Sequence, residues 1–165
     1  MGMPLSGKST VAKALAKKMN CSYSDLDQII ESKLNKTVEQ IIRDEGENIF
    51  REHEKSFLKN QGHKDNTILS IGGGTISKNT IDFIQRYRYK IWLQASTLEL
   101  AIRYRNSKTS RPLLYNTSNI HTSLDVILKK REPLYRLCSN IVINTNNKTI
   151  DKIVNEAITT INELN

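Results

Sequence analysis

The decisive stretch is Met1-Gly2-Met3-Pro4-Leu5-Ser6-Gly7-Lys8-Ser9-Thr10. Gly2 through Ser9 fill the pattern G-x-x-x-x-G-K-[ST] without a gap. In such a loop, successive backbone N–H groups turn inward and cradle the phosphates of a nucleotide. The lysine neutralises the β- and γ-phosphates, and the hydroxyl after it binds Mg²⁺. Val11 to Met19 continues with the apolar spacing of a helix that buries one face and leaves its lysines in solvent. A helix N-terminus is therefore expected beneath the phosphates. The predicted nucleotide site comprises Gly2, Pro4, Leu5, Ser6, Gly7, Lys8, Ser9 and Thr10. A loop of this kind normally hangs from a buried strand, whereas this sequence opens on the loop itself. Two expectations follow: either the start site is misassigned, or the sheet lacks its first, central strand.

The bulk properties narrow the class. A chain of 165 residues predicts one domain over 1–165, large enough for a proper core. With 38% hydrophobic and 25% charged residues, the composition is that of a soluble globular protein. No apolar run approaches membrane-spanning length. Cys21 and Cys138 are far apart and match neither a zinc pattern nor a redox pair, so two reduced thiols in a cytoplasmic protein are expected. The net charge of +8 fits either nucleic-acid binding or a site for an anionic nucleotide and an anionic substrate. No basic stripe is interleaved with aromatic residues, which favours the second reading; neither nucleic acid nor membrane is expected as a partner.

Helical patterns alternate with short strand-like runs, predicting an α/β fold with a mainly parallel sheet flanked by helices. Strands are expected at Cys21–Ser24, Thr67–Ile71, Lys90–Leu93 and Asn140–Ile143. Thr37-Val38-Glu39-Gln40 reads as a capping box opening a helix to Glu45, with Gly46 as its stop. A further helix is expected from Asn48 to Gln61, so the substrate-binding helices span about 28–61. Shorter helices are expected at Asn79–Tyr87 and from Ser96-Thr97-Leu98-Glu99 to Arg105. Residues 106–121 are polar and turn-rich, which predicts a mobile lid of functional length. A helix capped by Thr122 or Ser123 should run to Leu137, and a last one carries Ile150, Ile153, Val154, Ala157, Ile158 and Ile161 on one face.

Several clusters carry chemistry. Asp25-Leu26-Asp27 follows the first helix and a short strand; alternation in an extended segment would send both carboxylates toward the phosphates. One can hold Mg²⁺ through water and the other can accept a hydroxyl proton. Gly72-Gly73-Gly74 lets the backbone pass close to a ligand. Ser70, just before it, stands where many such proteins carry a metal-directing aspartate, and its hydroxyl can hold a metal-bound water. Arg111 lies in the lid, after Arg103 and Arg105, and can stabilise charge on a transferring group. Arg131 can pair bidentately with a substrate carboxylate, and Arg51 gains weight beside it.

Taken together, these residues resemble the shikimate kinase family. The likeness runs through the loop, Asp25-x-Asp27, Phe50-Arg51-x-x-Glu54, Ser70-Ile71-Gly72-Gly73-Gly74, Arg111-Pro112-Leu113-Leu114 and Arg131-x-x-Leu134-Tyr135. The resemblance implies a P-loop kinase fold with a mobile lid, and MgATP-dependent phosphorylation of the shikimate 3-hydroxyl in aromatic amino-acid biosynthesis. It implies a monomer whose partners are shikimate and ATP. Carried over, Lys8 and Arg111 contact phosphates, and Ser9 binds Mg²⁺ with Asp25 acting through water. Asp27 holds substrate hydroxyls and is the candidate base. Arg51, Arg131 and the Gly72, Gly73 and Gly74 backbone hold the substrate, and Arg105 matches the position that stacks on adenine. The residues alone leave two alternatives open: a kinase of another small hydroxy-acid such as gluconate, and a non-catalytic nucleotide-binding domain. Leu5 stands where the family usually has glycine, and the expected gap in the sheet predicts marginal stability.

Overall fold

Gly7 turns the chain into its first helix with left-handed backbone, φ 86°, a conformation glycine adopts without steric cost. In the computed structural model, which describes residues 1–60, 66–106 and 119–165, this helix is α1 (Lys8–Met19). Lys17 and Lys18 fall in its last turn, at the negative end of the helix dipole. The order then runs β1 (Ser22–Asp25), α2 (Leu26–Leu34), α3 (Val38–Glu45), α4 (Glu47–Asn60), β2 (Thr67–Ser70), α5 (Ile81–Gln85), β3 (Ile91–Gln94), α6 (Thr97–Arg105), α7 (Ile120–Cys138), β4 (Ile141–Asn144) and α8 (Ile150–Glu163).

Local capping explains where expectation and structure agree and where they part. The Thr37–Gln40 capping box forms with both of its halves. Ser96 accepts the Glu99 N–H, but the Glu99 carboxylate turns to Arg103 instead of reaching back. Helix α7 starts earlier than expected: the Asn119 side chain accepts the N–H groups of His121 and Thr122 and caps it in place of Thr122 or Ser123. The described end of the expected 106–121 lid is therefore helical. Pro133 lies inside α7 without ending it. The largest correction concerns the two aspartates. They do not alternate along one extended segment. Asp25 ends β1 and accepts the Asp27 N–H, so it caps α2, and Asp27 stands in the first helical turn.

Among the described residues the strands form two parallel pairs. β1 pairs β2 with Asp25 opposite Ser70, and β3 pairs β4 with Trp92 opposite Val142. Met1 lies beside β3: its nitrogen donates to the Ile91 carbonyl at 2.8 Å, and its carbonyl accepts the Leu93 N–H at 2.9 Å. That is the alternation of a parallel ladder.

Two cores cover the strand pairs. One gathers Leu26, Ile41, Phe50, Leu58, Ile84, Trp92, Leu124 and Tyr135. The other packs α1 on α8 through Val11, Leu15, Ile153, Val154, Ala157 and Ile161, with Leu93, Ile141 and Ile143 beneath. Successive residues divide between them. Leu69 and Trp92 serve the first core, Ile68 and Leu93 the second, so β2 and β3 are covered on both faces. In β4 only Ile141 and Ile143 are buried, and Val142 is exposed.

The phosphate loop carries one strained residue. Leu5 has φ 67°, the left-handed region that costs a residue with a β-carbon roughly 1–2 kcal/mol. Its side chain also packs on the first core. Substitution separates these effects. Leu5→Ala loses the packing and keeps the strain, whereas Leu5→Gly loses the packing and relieves it. Urea unfolding is expected to find the glycine variant more stable than the alanine variant by about 1 kcal/mol. Equal stabilities would show that the loop bears no strain there.

Candidate active site

Four segments converge on a cavity of about 450 Å³: the phosphate loop with the start of α1, the β1–α2 junction, the α3–α4 helices, and the glycines after β2 with Arg131 of α7. The cavity has three chemically distinct regions.

At the loop end, α1 begins without a side-chain cap and with no acidic residue in its first turn. The first N–H groups of a helix have no partner within the helix, and together with the helix dipole they attract an anion. Lys8 arches over the loop and donates to the Met3 carbonyl at 2.9 Å. Arg103 supports the loop from behind. Its guanidinium pairs with Glu99 at 2.9 Å and donates to the Leu5 carbonyl at 3.3 Å and the Thr145 carbonyl at 2.7 Å.

Beside the loop, Ser9 Oγ and the Tyr23 hydroxyl both donate to Asp25 Oδ2 at 3.0 Å. Burial, and then the Asp25 carboxylate, push the Tyr23 phenol up to about 12, so it remains a donor. Among the described residues, no three His, Cys, Asp or Glu side chains gather to hold a metal. One hydroxyl and one carboxylate next to a phosphate site instead suit Mg²⁺, which keeps several waters and shares its coordination with substrate phosphates. Ser70, opposite Asp25 in the ladder, is buried at the same wall.

The far end is organised around buried acids and glycines. Glu54 is 1% exposed, accepts from Arg51 Nη1 at 2.7 Å, and is bonded by the Thr75 hydroxyl. Arg51 is also held by Glu47 at 2.6 Å. Burial disfavours its charge, but Glu54 and Glu47 outweigh that and raise the guanidinium pKa. A β-carbon on Gly74 would meet the Arg51 guanidinium at 2.5 Å. A β-carbon on Gly73 would overlap the Gly2 carbonyl and the Tyr135 hydroxyl, with Arg131 Nη1 at 3.3 Å. Tyr135 is fully buried and donates to the Gly73 carbonyl at 3.1 Å. Only glycine allows this approach.

Asp27 lies between the two ends. Its Oδ1 is buried and, among the described residues, has no hydrogen-bond partner. Burial is the main reason its pKa rises from 3.8 to about 6; Asp25 and Glu54 push it further up, and Lys8 opposes them. An unpartnered buried carboxylate oxygen costs free energy, which makes it a marker of a ligand position.

The cavity thus brings together Pro4, Leu5, Gly7, Lys8, Ser9, Thr10, Asp25, Asp27, Arg51, Gly72, Gly73, Gly74 and Arg131 of the residues singled out in the sequence. Gly2 and Ser6 lie behind them: the carbonyl of Gly2 faces Gly73, and Ser6 is buried in the loop. Arg111 lies outside the described residues. Arg105 sits exposed at the end of α6. Two residues apart on a helix are separated by about 200°, so α6 can turn only one of Arg103 and Arg105 to the loop, and it turns Arg103. Sequence reasoning missed Arg103, Tyr23, Thr75 and the roles of Glu54 and Tyr135. The i,i+3 spacing of Arg51 with Glu54 and the i,i+4 spacing of Arg131 with Tyr135 were the available signals.

The raised pKa of Asp27 has a stability consequence. A carboxylate that binds its proton more tightly when folded makes the protein lose stability as pH rises from 3.8 through about 6. Above that range the ionised Asp27 is a standing cost. Asp27→Asn removes the charge with little change of shape. Urea titration at pH 7.5 is expected to show this variant more stable than the parent by about 1–3 kcal/mol, with the gain vanishing near pH 4. A loss of stability at pH 7.5 would show that the carboxylate is satisfied.

A family model described as shikimate kinase matches residues 4–162. The shikimate kinase of Francisella tularensis subsp. holarctica (strain FTNF002-00 / FTA) is 33% identical over 154 residues, covering 93% of this chain and 87% of the relative. Among solved structures, the shikimate kinase of Acinetobacter baumannii in complex with shikimate superimposes with a TM-score of 0.88 at 29% identity, covering 98% of this chain and 90% of that one. The shikimate kinase of Bacteroides thetaiotaomicron does so with a TM-score of 0.85 at 27% identity, covering 98% and 96%. With a P-loop kinase fold and the match extending over nearly its whole length, this chain belongs to the shikimate kinase family.

Proposed function

We propose that this chain transfers the γ-phosphoryl group of MgATP to the 3-hydroxyl of shikimate, with Asp27 as the residue that receives the hydroxyl proton. The observation that carries this reading is the buried, unpartnered Oδ1 of Asp27, in one cavity with an uncapped helix N-terminus and two arginines. A hydroxyl placed against Oδ1 supplies the missing donor. Its oxygen then attacks the γ-phosphorus, the bond to the β–γ bridging oxygen breaks, ADP leaves and Asp27 holds the proton.

The rest is positioning and charge neutralisation. Lys8 and the first N–H groups of α1 take the β- and γ-phosphates, and Arg111 is assigned to the same phosphates. Ser9 and Asp25 would hold Mg²⁺, which when bound neutralises charge building between the phosphates. Arg51 and Arg131 take the shikimate carboxylate. Glu54, itself bonded by the Thr75 hydroxyl, and Glu47 hold Arg51 ready at the wall, so little side-chain entropy remains to be lost on binding.

Two measurements test these assignments. For the free enzyme, kcat/KM with shikimate should fall on acidification with an apparent pKa of about 6, the value of the buried Asp27, and Asp27→Asn should lose most turnover while keeping its affinity for ATP. A collapse of ATP affinity would place Asp27 in the metal site instead. Separately, Arg51→Ala and Arg131→Ala should each weaken shikimate binding by about 2–5 kcal/mol, while an analogue without the carboxylate is insensitive to both. Equal sensitivity of the two ligands would remove the arginines from carboxylate recognition. A panel of other hydroxy-acids, gluconate included, tests the substrate itself.

A further inference from the structure

Tyr23 and Asp25 are two residues apart on β1, so their side chains leave the same face of the strand. Asp25 lines the active-site cavity, whereas Tyr23 stands behind it, outside the lining. The Tyr23 ring is held from α1 by the Lys13 ammonium, 5.4 Å from its centroid. Its hydroxyl reaches along the strand and donates to Asp25 Oδ2 at 3.0 Å.

The donors on Asp25 differ in what else they must do. The Asp27 N–H holds Oδ1 at 3.1 Å as part of the α2 cap. Oδ2 accepts two donors, Ser9 Oγ and the Tyr23 hydroxyl, both at 3.0 Å. A carboxylate offers about four acceptor positions, so about one remains, on Oδ1, with room for a water of a bound cation. Ser9 is itself assigned to that cation. Its bond to Oδ2 is therefore not an independent anchor, because the same hydroxyl must also aim its lone pairs at the metal. Among the described residues, Tyr23 is the donor that holds Oδ2 without being a ligand.

We propose that Tyr23 is a positioning residue of the metal site, fixing the Asp25 carboxylate from behind so that Ser9 and a metal-bound water meet it in one orientation. This role rests on the assignment of Ser9 and Asp25 to Mg²⁺. A phenylalanine at this position would fill the same space and stop short of Oδ2, so the hydroxyl alone carries the effect.

The test titrates Mn²⁺ into the protein saturated with ADP and reads the free ion by its electron paramagnetic resonance signal. Tyr23→Phe keeps the ring and its contact with Lys13, and is expected to melt within about 5 °C of the parent. It should weaken Mn²⁺ binding about 10-fold, as expected for the loss of a partner that orients a metal-site carboxylate. Its affinity for ADP in EDTA should stay that of the parent. Lys13→Met removes the cation over the ring but leaves the hydroxyl, and should bind Mn²⁺ as the parent does. Ser9→Ala removes a ligand and should weaken Mn²⁺ binding at least as much as Tyr23→Phe. Unchanged Mn²⁺ binding in Tyr23→Phe beside a weakened Ser9→Ala would overturn the role of Tyr23 and leave the metal assignment standing. Unchanged binding in both would overturn the metal assignment and the role of Tyr23 together. An equal loss in Lys13→Met, or a loss of ADP affinity in EDTA as large as the loss for Mn²⁺, would also overturn the proposal, because ring packing rather than the hydroxyl would then shape the site.

Discussion

The backbone of Gly73 lies against the Gly2 carbonyl beneath the Tyr135 hydroxyl, and the geometry of the site depends on that approach. Gly2 opens the phosphate loop; Gly73 belongs to the segment that leaves β2. Their contact sets the distance between the nucleotide end of the cavity and the end that holds Arg51 and Arg131. Tyr135 buttresses it from α7, and Tyr135 is in turn fixed by packing on Trp92, with ring centroids 5.7 Å apart. A side chain at position 73 would push the two ends apart, and phosphoryl transfer has little tolerance for such a displacement because positioning supplies most of its rate.

Around this contact the protein accepts local instability where the chemistry needs it. Asp27 is held among Asp25 and Glu54 with an oxygen left unpartnered. Leu5 takes a left-handed conformation inside the loop. The helix α1 leaves its first turn uncapped. In contrast, the groups that must not move are fully satisfied: Glu54 is bonded from two sides, and Asp25 accepts from Ser9, Tyr23 and the Asp27 N–H. Within the cavity, the satisfied Asp25 and Glu54 orient their neighbours, and the unpartnered Asp27 Oδ1 is the buried oxygen open to a ligand.

Much of this was legible in the residues because it rests on local rules. The loop pattern, the helix after it and the Thr37 capping box depend on neighbours within four positions, and they stand where the sequence put them. Errors arose where two local signals competed. Asp25 can alternate in a strand or cap a helix, and the unpaired N–H of Asp27 decided for the cap. Asn119 displaced Thr122 and Ser123 as the cap of α7 for the same reason: whichever side chain reaches the orphan N–H groups first ends the loop.

The sequence by itself determined the chemistry of this protein: a phosphate-binding loop, a pair of acids, three glycines and two arginines in a fixed order, enough to place it beside the shikimate kinases. Tertiary structure alone decided which of those groups are free to act. Glu54 became the partner that holds Arg51 because folding buried it next to Thr75, 21 positions away in the chain. Arg103 rather than Arg105 meets the loop because α6 lies with that face toward Thr145. The raised pKa of Asp27 comes first from burial, then from its chain neighbour Asp25 and from Glu54; the burial and the Glu54 contact arise between elements and no local pattern encodes them. Burial and charge coupling act across space, so they become readable only once the distant segments have been packed together.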